Sequence, residues 1–297
     1  MKRYKNQKVE KQIVGSYNVL LSHWGIDVNE MDVEGRYGTT HVIEFGREEK
    51  EPLMLFHGVG DDSALMWIYN AKVLGEYFHV YAVDTIGGPG KSVPGKGYNK
   101  EFDDVVWIDE LLDALSLEQV YMAGVSNGGY LTQMYTIMRP ERVKKGISMA
   151  ATIPVSSNKG TMMTMMKIFL PEALFPTDKN VKKMIRKMTG SNAKAFYDNE
   201  AVFYHFKKLM TGFNRSAMLY HQVKSFGVKD MDAIRGKILY IAGKKDPFMN
   251  LGGADLLQQY NMNTLWLEDA GHGINHEFPD AVNHAIISYF TEAIYLT

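Results

Sequence analysis

The chain contains no cysteine. Disulfides, thiolate metal sites and a cysteine nucleophile are thereby excluded. A cysteine-free chain fits a reducing cytoplasm, which is the expected compartment. Net charge is scarce too: 33 Lys and Arg stand against 34 Asp and Glu, a balance of −1. Such a chain has no electrostatic hold on DNA, RNA or an acidic membrane, so no nucleic-acid partner is expected. Long apolar runs are missing. No stretch approaches the roughly 20 residues that cross a bilayer, so no membrane span is expected. The basic start, MKRYKNQKVEKQIVGSYNVLL, is interrupted by Gln12, Gly15, Ser16 and Asn18 and lacks a small-residue cleavage site, which makes a poor signal peptide. Metal-ligand clusters and cofactor fingerprints are absent as well. IGGPGKS lacks the phosphate-loop spacing, because Gly87 and Gly90 enclose two residues and not four. No metal and no cofactor is expected.

What is present is an ordinary globular composition, 45% hydrophobic and 23% charged over 297 residues. That suffices for one sizeable α/β core with an insertion. Ile13, Tyr17, Leu20 and Trp24 recur at helical spacing and predict an amphipathic helix docked on the body. Seven segments read as strands: TTHVIEFG, PLMLFHG, FHVYAVD, VYMAG, VKKGISMA, KILYIAG and NTLWLEDAGH. Helical patterns lie between most of them, as with Val105, Ile108, Leu111, Leu112 and Leu115. The alternation predicts a mostly parallel, doubly wound sheet with helices on both faces. Residues 153–234 break the rhythm, with no good strand and many Met and Lys. They are expected to form a helical cap inserted between core segments 1–152 and 235–297. In that cap Met162, Met166 and Phe169, and the overlapping Met163, Met166 and Leu170, form apolar stripes. The plainer expectation is helix packing; the functional one is an adaptable apolar pocket.

Gly124-Val-Ser126-Asn-Gly128 follows the strand VYMAG and precedes a helical stretch. A G-x-S-x-G sequence in that context predicts a nucleophile elbow. The sharp turn forces the serine to positive φ, and side chains two residues either side would collide with backbone, hence glycine. A serine hydroxyl needs a base. Of nine histidines, His272 in DAGHG directly follows the last predicted strand, where a loop carries it over the sheet edge. His276 is expected at the surface or at a helix start, and His57 is expected to shape a turn. His205 and His221 fall in the cap, in core, surface or pocket positions. The base needs an acid, and Asp246 in AGKKDPF follows KILYIAG directly. Serine, acid, histidine is the chain order this chemistry uses, which favours Asp246 over its rival Asp269. The oxyanion donors are expected to be the backbone N–H groups of Asn127 and Val59.

FHGVG, VDTIGGPGKS, GVSNGG, MRPERV, AGKKD and AGHGINHEFP, in that order, resemble the α/β-hydrolase superfamily over nearly the whole chain. GRYGTTHVIEFG and YAVDTIGGPGKS are similar to a group of small bacterial carboxylesterases. The resemblance implies an α/β-hydrolase sheet, a cap that shapes an acyl pocket, and a triad mapping onto Ser126, Asp246 and His272. Two departures stand out. Asn127 follows the nucleophile where an apolar residue or Gln is usual, and IGGPGKS lacks the arginine common in that loop. The expected activity is hydrolysis of a small-molecule ester. The alternatives are a carbon–carbon bond, amide or lactone hydrolase, or a ligand-binding protein with little turnover. Whether the chain forms a homo-oligomer is left open.

Overall fold

The computed structural model describes residues 2–154 and 161–292. Strands β1 (Val28–Gly35), β2 (Gly38–Gly46), β3 (Pro52–Phe56), β4 (His79–Val83), β5 (Val93–Pro94), β6 (Val120–Val125), β7 (Val143–Met149), β8 (Ile238–Gly243) and β9 (Thr264–Leu267) form one sheet. Its order is β1-β2-β4-β3-β6-β7-β8-β9, with β5 paired to β2. The run from β4 to β9 is parallel, whereas β1, β2 and β5 pair antiparallel at one end. The chain winds outward from β3 to β4, then returns to place β6 on the other side of β3. That reversal opens a crevice above the carboxyl ends of β3 and β6, where ligands bind in open α/β sheets.

Strand β3 shows why the sheet needs cover on both faces. Leu53 and Leu55 join one hydrophobic cluster, Met54 and Phe56 the other, and all four are fully buried. Alternate side chains point to opposite faces, so a continuous apolar run belongs to a central strand. Helices α1 (Gln7–Ser22), α2 (Ser63–Met66), α3 (Ala71–Tyr77), α4 (Asp104–Ala114) and α5 (Asn127–Met138) supply much of that cover. Helix α1 starts where Asn6 Oδ1 accepts from the Val9 N–H. It buries Ile13, Tyr17 and Leu20, with Trp24 just beyond its end. Each such side chain contributes roughly 1.5–3 kcal/mol on burial.

Strands β1 and β5 were not anticipated. β1 lies at the sheet edge and carries Asn29, Glu30, Asp32 and Glu34, so its sequence shows no clean apolar face. β5 is two residues long.

Between β7 and β8 the described residues are helical: α6 (Thr161–Ala173), α7 (Asp178–Met188), α8 (Glu200–Gly212) and α9 (Val228–Ile234), with short 3-10 turns. Two devices tie them down. The Lys5 N–H donates to the Gly212 carbonyl at 3.0 Å and the Asn214 N–H to the Arg3 carbonyl at 2.7 Å. Below them the buried His205 on α8 meets Asp62 at 2.8 Å and Ser16 of α1 at 2.7 Å. The α6 stripe behaves otherwise than its pattern suggested. Met163, Met166 and Leu170 are exposed, at 57%, 45% and 45%. The Met162 side chain lies outside the described residues. After β9 come α11 (Ile274–Glu277) and α12 (Pro279–Thr291), separated at Phe278 where Pro279 opens a new helix, with α10 (Gly253–Gln259) before β9.

Candidate active site

Ser126 sits between β6 and α5 with φ 56° and ψ −112°. Non-glycine residues seldom hold positive φ, and the surroundings must over-determine it. They do so by crowding. A Cβ on Gly124 would lie 2.2 Å from the Gly128 carbonyl carbon, and one on Gly128 would lie 2.1 Å from the Phe56 carbonyl oxygen. Only glycine lets β3, β6 and the start of α5 approach this closely. The Ser126 N–H donates to the Met149 carbonyl at 2.8 Å, which pins the turn to β7.

Asp246 follows β8 and is fully buried. Its Oδ1 accepts from the Phe248 N–H at 2.8 Å, which leaves Oδ2 to accept from His272 Nδ1–H, also at 2.8 Å. With its proton committed there, His272 presents Nε2 to Ser126 Oγ at 3.1 Å. Burial works against charge on His272, but Asp246, Asp61 and Glu277 together outweigh it and raise the pKa above the ordinary histidine value. The structure thus brings Ser126, His272 and Asp246 into one hydrogen-bonded relay over the ends of β6, β8 and β9. Asp269 stands apart, paired with Lys245 at 2.6 Å on the surface.

The expected anion-holding amides flank the serine. The N–H groups of Val59 and Asn127 have no acceptor among the described residues. A Cβ on Gly58 would come within 3.4 Å of Ser126 Cβ, so the loop carrying Val59 lies against Ser126. Asn127 also opens α5, whose first-turn amides favour negative charge. The buried Asn127 side-chain Nδ2 likewise has no partner.

His57, His221 and His276 are engaged elsewhere. His57 Nε2 accepts from the Thr85 N–H at 2.8 Å while Nδ1–H donates to the Gly58 carbonyl at 2.8 Å, so this ring shapes the loop after β3. His221 bridges Asp104 and the Ile86 carbonyl. His276 is the third residue of the short helix α11 and is not at the surface. It is 3% exposed, stacks on Phe196 with ring centroids 4.5 Å apart, and donates to the Leu65 carbonyl at 3.0 Å. Burial drives its pKa down to about 4 and keeps it neutral near pH 7.

Glu277 carried no signal in the sequence. Its buried carboxylate accepts from the Gly271 N–H at 2.9 Å and from the Gly190 N–H of the helical insertion at 2.6 Å. Nearby the His272 N–H donates to the Met188 carbonyl at 2.7 Å, and the Ser191 N–H to the Asp269 carbonyl at 2.9 Å. The histidine loop is therefore sewn to the end of α7.

Ser126 and His272 open onto a cavity of about 460 Å³. Its wall joins Met66, Val125 and Phe248 of the sheet layer to Phe169, Met184, Met188, Phe196, Phe206 and Met210 of the helical insertion. The methionines of the insertion that line it, Met184, Met188 and Met210, come from α7 and α8; of the described side chains in the α6 stripes, Phe169 lines it.

The sheet order and the strand–turn–helix at Ser126 are those of an α/β-hydrolase fold. Residues 51–195 match the family described as the alpha/beta hydrolase fold. Within that class the chain is similar to bacterial carboxylesterases. It is 35% identical over 132 residues to carboxylesterase YbfK of Bacillus subtilis, a stretch covering 44% of each chain. The sequence likeness thus spans less than half the length of that relative. Solved structures agree in fold over nearly the full length: naproxen esterase from Bacillus subtilis at TM-score 0.78 and 22% identity, covering 96% of this chain and 99% of that one. Carboxylesterase CesB (YbfK) from Bacillus subtilis gives 0.79 and 22%, covering 97% and 100%. Among the described residues no helix is long and apolar enough to cross a membrane.

Proposed function

We propose that this chain is a serine hydrolase that cleaves small carboxylic esters through an acyl-enzyme, with Ser126, His272 and Asp246 as its triad. The observation that carries the reading is the relay of 3.1 Å and 2.8 Å contacts at the floor of an apolar cavity. Ser126 Oγ attacks the ester carbonyl carbon while His272 Nε2 takes its proton. Asp246 holds the imidazole tautomer and stabilises the imidazolium. The tetrahedral oxyanion is held by the N–H groups of Val59 and Asn127. Collapse breaks the C–O bond, and His272 gives its proton to the departing alcohol. Water then attacks the acyl-Ser126 carbonyl, His272 again taking and returning the proton, and the acid leaves. Hydrolysis needs no group beyond water. Residues 153–234 act as a cap over a core of 1–152 and 235–297, and the cytoplasm is the working compartment. The names of the relatives support ester chemistry, and the apolar wall supports an apolar acyl or alcohol group.

The test is a burst experiment with p-nitrophenyl acetate and butyrate on wild type and Ser126→Ala. A burst equal to the enzyme concentration is expected in wild type, with turnover reduced about 10⁶-fold in the variant. Wild-type-like hydrolysis by Ser126→Ala would remove the serine from the mechanism.

A further inference from the structure

Among the described residues the cavity holds one cation that nothing claims. Arg36, Arg139, Arg142 and Arg235 each grip a carboxylate. Arg215, on the 3-10 turn Arg215–Met218 after α8, has no carboxylate and no hydrogen-bond acceptor among the described residues, yet it lines the cavity with Ser126 and His272. Arg215 is an exposed residue that borders this open cavity. Protein crowds it all the same, and this desolvation pushes its pKa down, with only Asp61 opposing. The guanidinium is held in place. It lies over the Phe169 ring at 4.6 Å, and its Nε would be 3.6 Å from a Cβ on Gly60, in the loop that also carries Val59. A planar five-donor fork, fixed in position and left unpaired, is suited to a carboxylate.

Next to Gly60 in the same loop, Asp61 also lines the cavity, with no hydrogen-bond partner for its carboxyl group among the described residues. It does not close on Arg215, since no ion pair joins them. Burial, reinforced by Asp62, raises the Asp61 pKa to about 7, against His272, His205 and Arg215. Below that pH it is a neutral O–H donor, so it adds a second contact to an anion instead of repelling it.

We propose that Arg215 is an anion anchor, and that the preferred esters carry a free carboxylate on an otherwise apolar frame. This rests on the ester reading of the same cavity and names its substrate class.

The experiment compares matched esters at pH 6. One pair is p-nitrophenyl hydrogen adipate and p-nitrophenyl methyl adipate; the other is 4-acetoxybenzoate and its methyl ester, which puts the charge on the alcohol side. The readout is the charged-to-neutral ratio of kcat/KM, measured within each protein so that the active fraction cancels. Wild type is expected to favour the charged member of at least one pair. Arg215→Gln is expected to lower that ratio about tenfold or more, and Arg215→Lys to retain part of it. A ratio at or below one in wild type for both pairs, or one unchanged by Arg215→Gln, overturns the proposal. Ser126-dependent turnover of the neutral esters with no charge preference sinks the anchor alone and leaves the ester reading intact. If no ester is turned over, calorimetry on Ser126→Ala decides the anchor separately. Monomethyl adipate must bind more tightly than dimethyl adipate, and Arg215→Gln must erase the difference; equal affinities overturn it.

Discussion

The sheet layer and the helical insertion divide the labour unequally. Every group of the proposed relay comes from a loop at the carboxyl end of a strand: Ser126 after β6, Asp246 after β8 and His272 after β9. Much of the cavity wall, and its unpaired cation, comes from α6, α7, α8 and the turn after them. In the proposed reading the chemistry is set by short connections at strand ends, and selection among substrates falls to the helical insertion. Where the two layers meet, at Glu277, the division is crossed. A carboxylate of the core holds both the histidine loop and the end of α7.

The comparison breaks first if the relay is dispensable. Asp246→Asn keeps the shape but loses the charge and reverses the tautomer preference of His272. A fall of about 10⁴-fold in kcat is expected for p-nitrophenyl acetate, with circular dichroism unchanged. A loss below tenfold would take the acid role away from Asp246. A smaller effect tests the seam. Glu277→Gln keeps one acceptor and sets an amide N–H₂ against a backbone donor. Stability should fall by about 1–3 kcal/mol in urea titrations. If Glu277 positions His272, kcat also falls about tenfold with KM nearly constant, and Glu277→Asp recovers little, being one methylene short. Loss of stability with kcat intact would make it a structural clamp alone.

The same division decides what could be read from the chain. The elbow was legible because steric crowding at Gly124 and Gly128 leaves glycine as the only fit, and because strand, turn and helix are encoded in adjacent residues. Asp246 and His272 were legible through chain order, and the structure places both at strand ends in contact. Edge strand β1 was missed because water, not protein, faces most of it. His276 was misplaced for the opposite reason: a polar residue one turn after a loop reads as surface, yet its ring is buried among Phe196, Tyr69 and the α2 backbone. Glu277 and Arg215 were invisible, since each acquires much of its meaning from residues far off in the chain, Gly190 for one and Gly60 for the other. The α6 stripes misled because periodicity reports an apolar face and not what covers it.

A titration sharpens the contrast between sites that share a loop. His272 must be neutral to accept the serine proton, so activity is lost as pH falls through its pKa. That pKa is raised, so the acid limb of kcat/KM for a neutral ester should have its midpoint above the ordinary 6.5. Asp61 is one of the charges raising it. Asp61→Asn should therefore move the midpoint to lower pH. His276, four residues on, titrates near 4 and contributes nothing to this limb. A midpoint unmoved by Asp61→Asn would mean that Asp61 does not sense His272.

The smallest expected effect tests the insertion as the selecting layer. Met184 on α7 is shielded from bulk water yet lines the cavity. Met184→Ala removes three heavy atoms from the wall and none from the relay. The gain in room favours a longer acyl chain, because each added methylene that leaves water contributes about 0.8 kcal/mol. The octanoate-to-butyrate ratio of kcat/KM for p-nitrophenyl esters should rise about fourfold, one such methylene's worth. Turnover of the acetate, too short to need the wall, is the internal reference for each protein. If acetate and octanoate change in step, the methionine supports the relay and not the choice of substrate, and the two layers are less separate in function than they are in space.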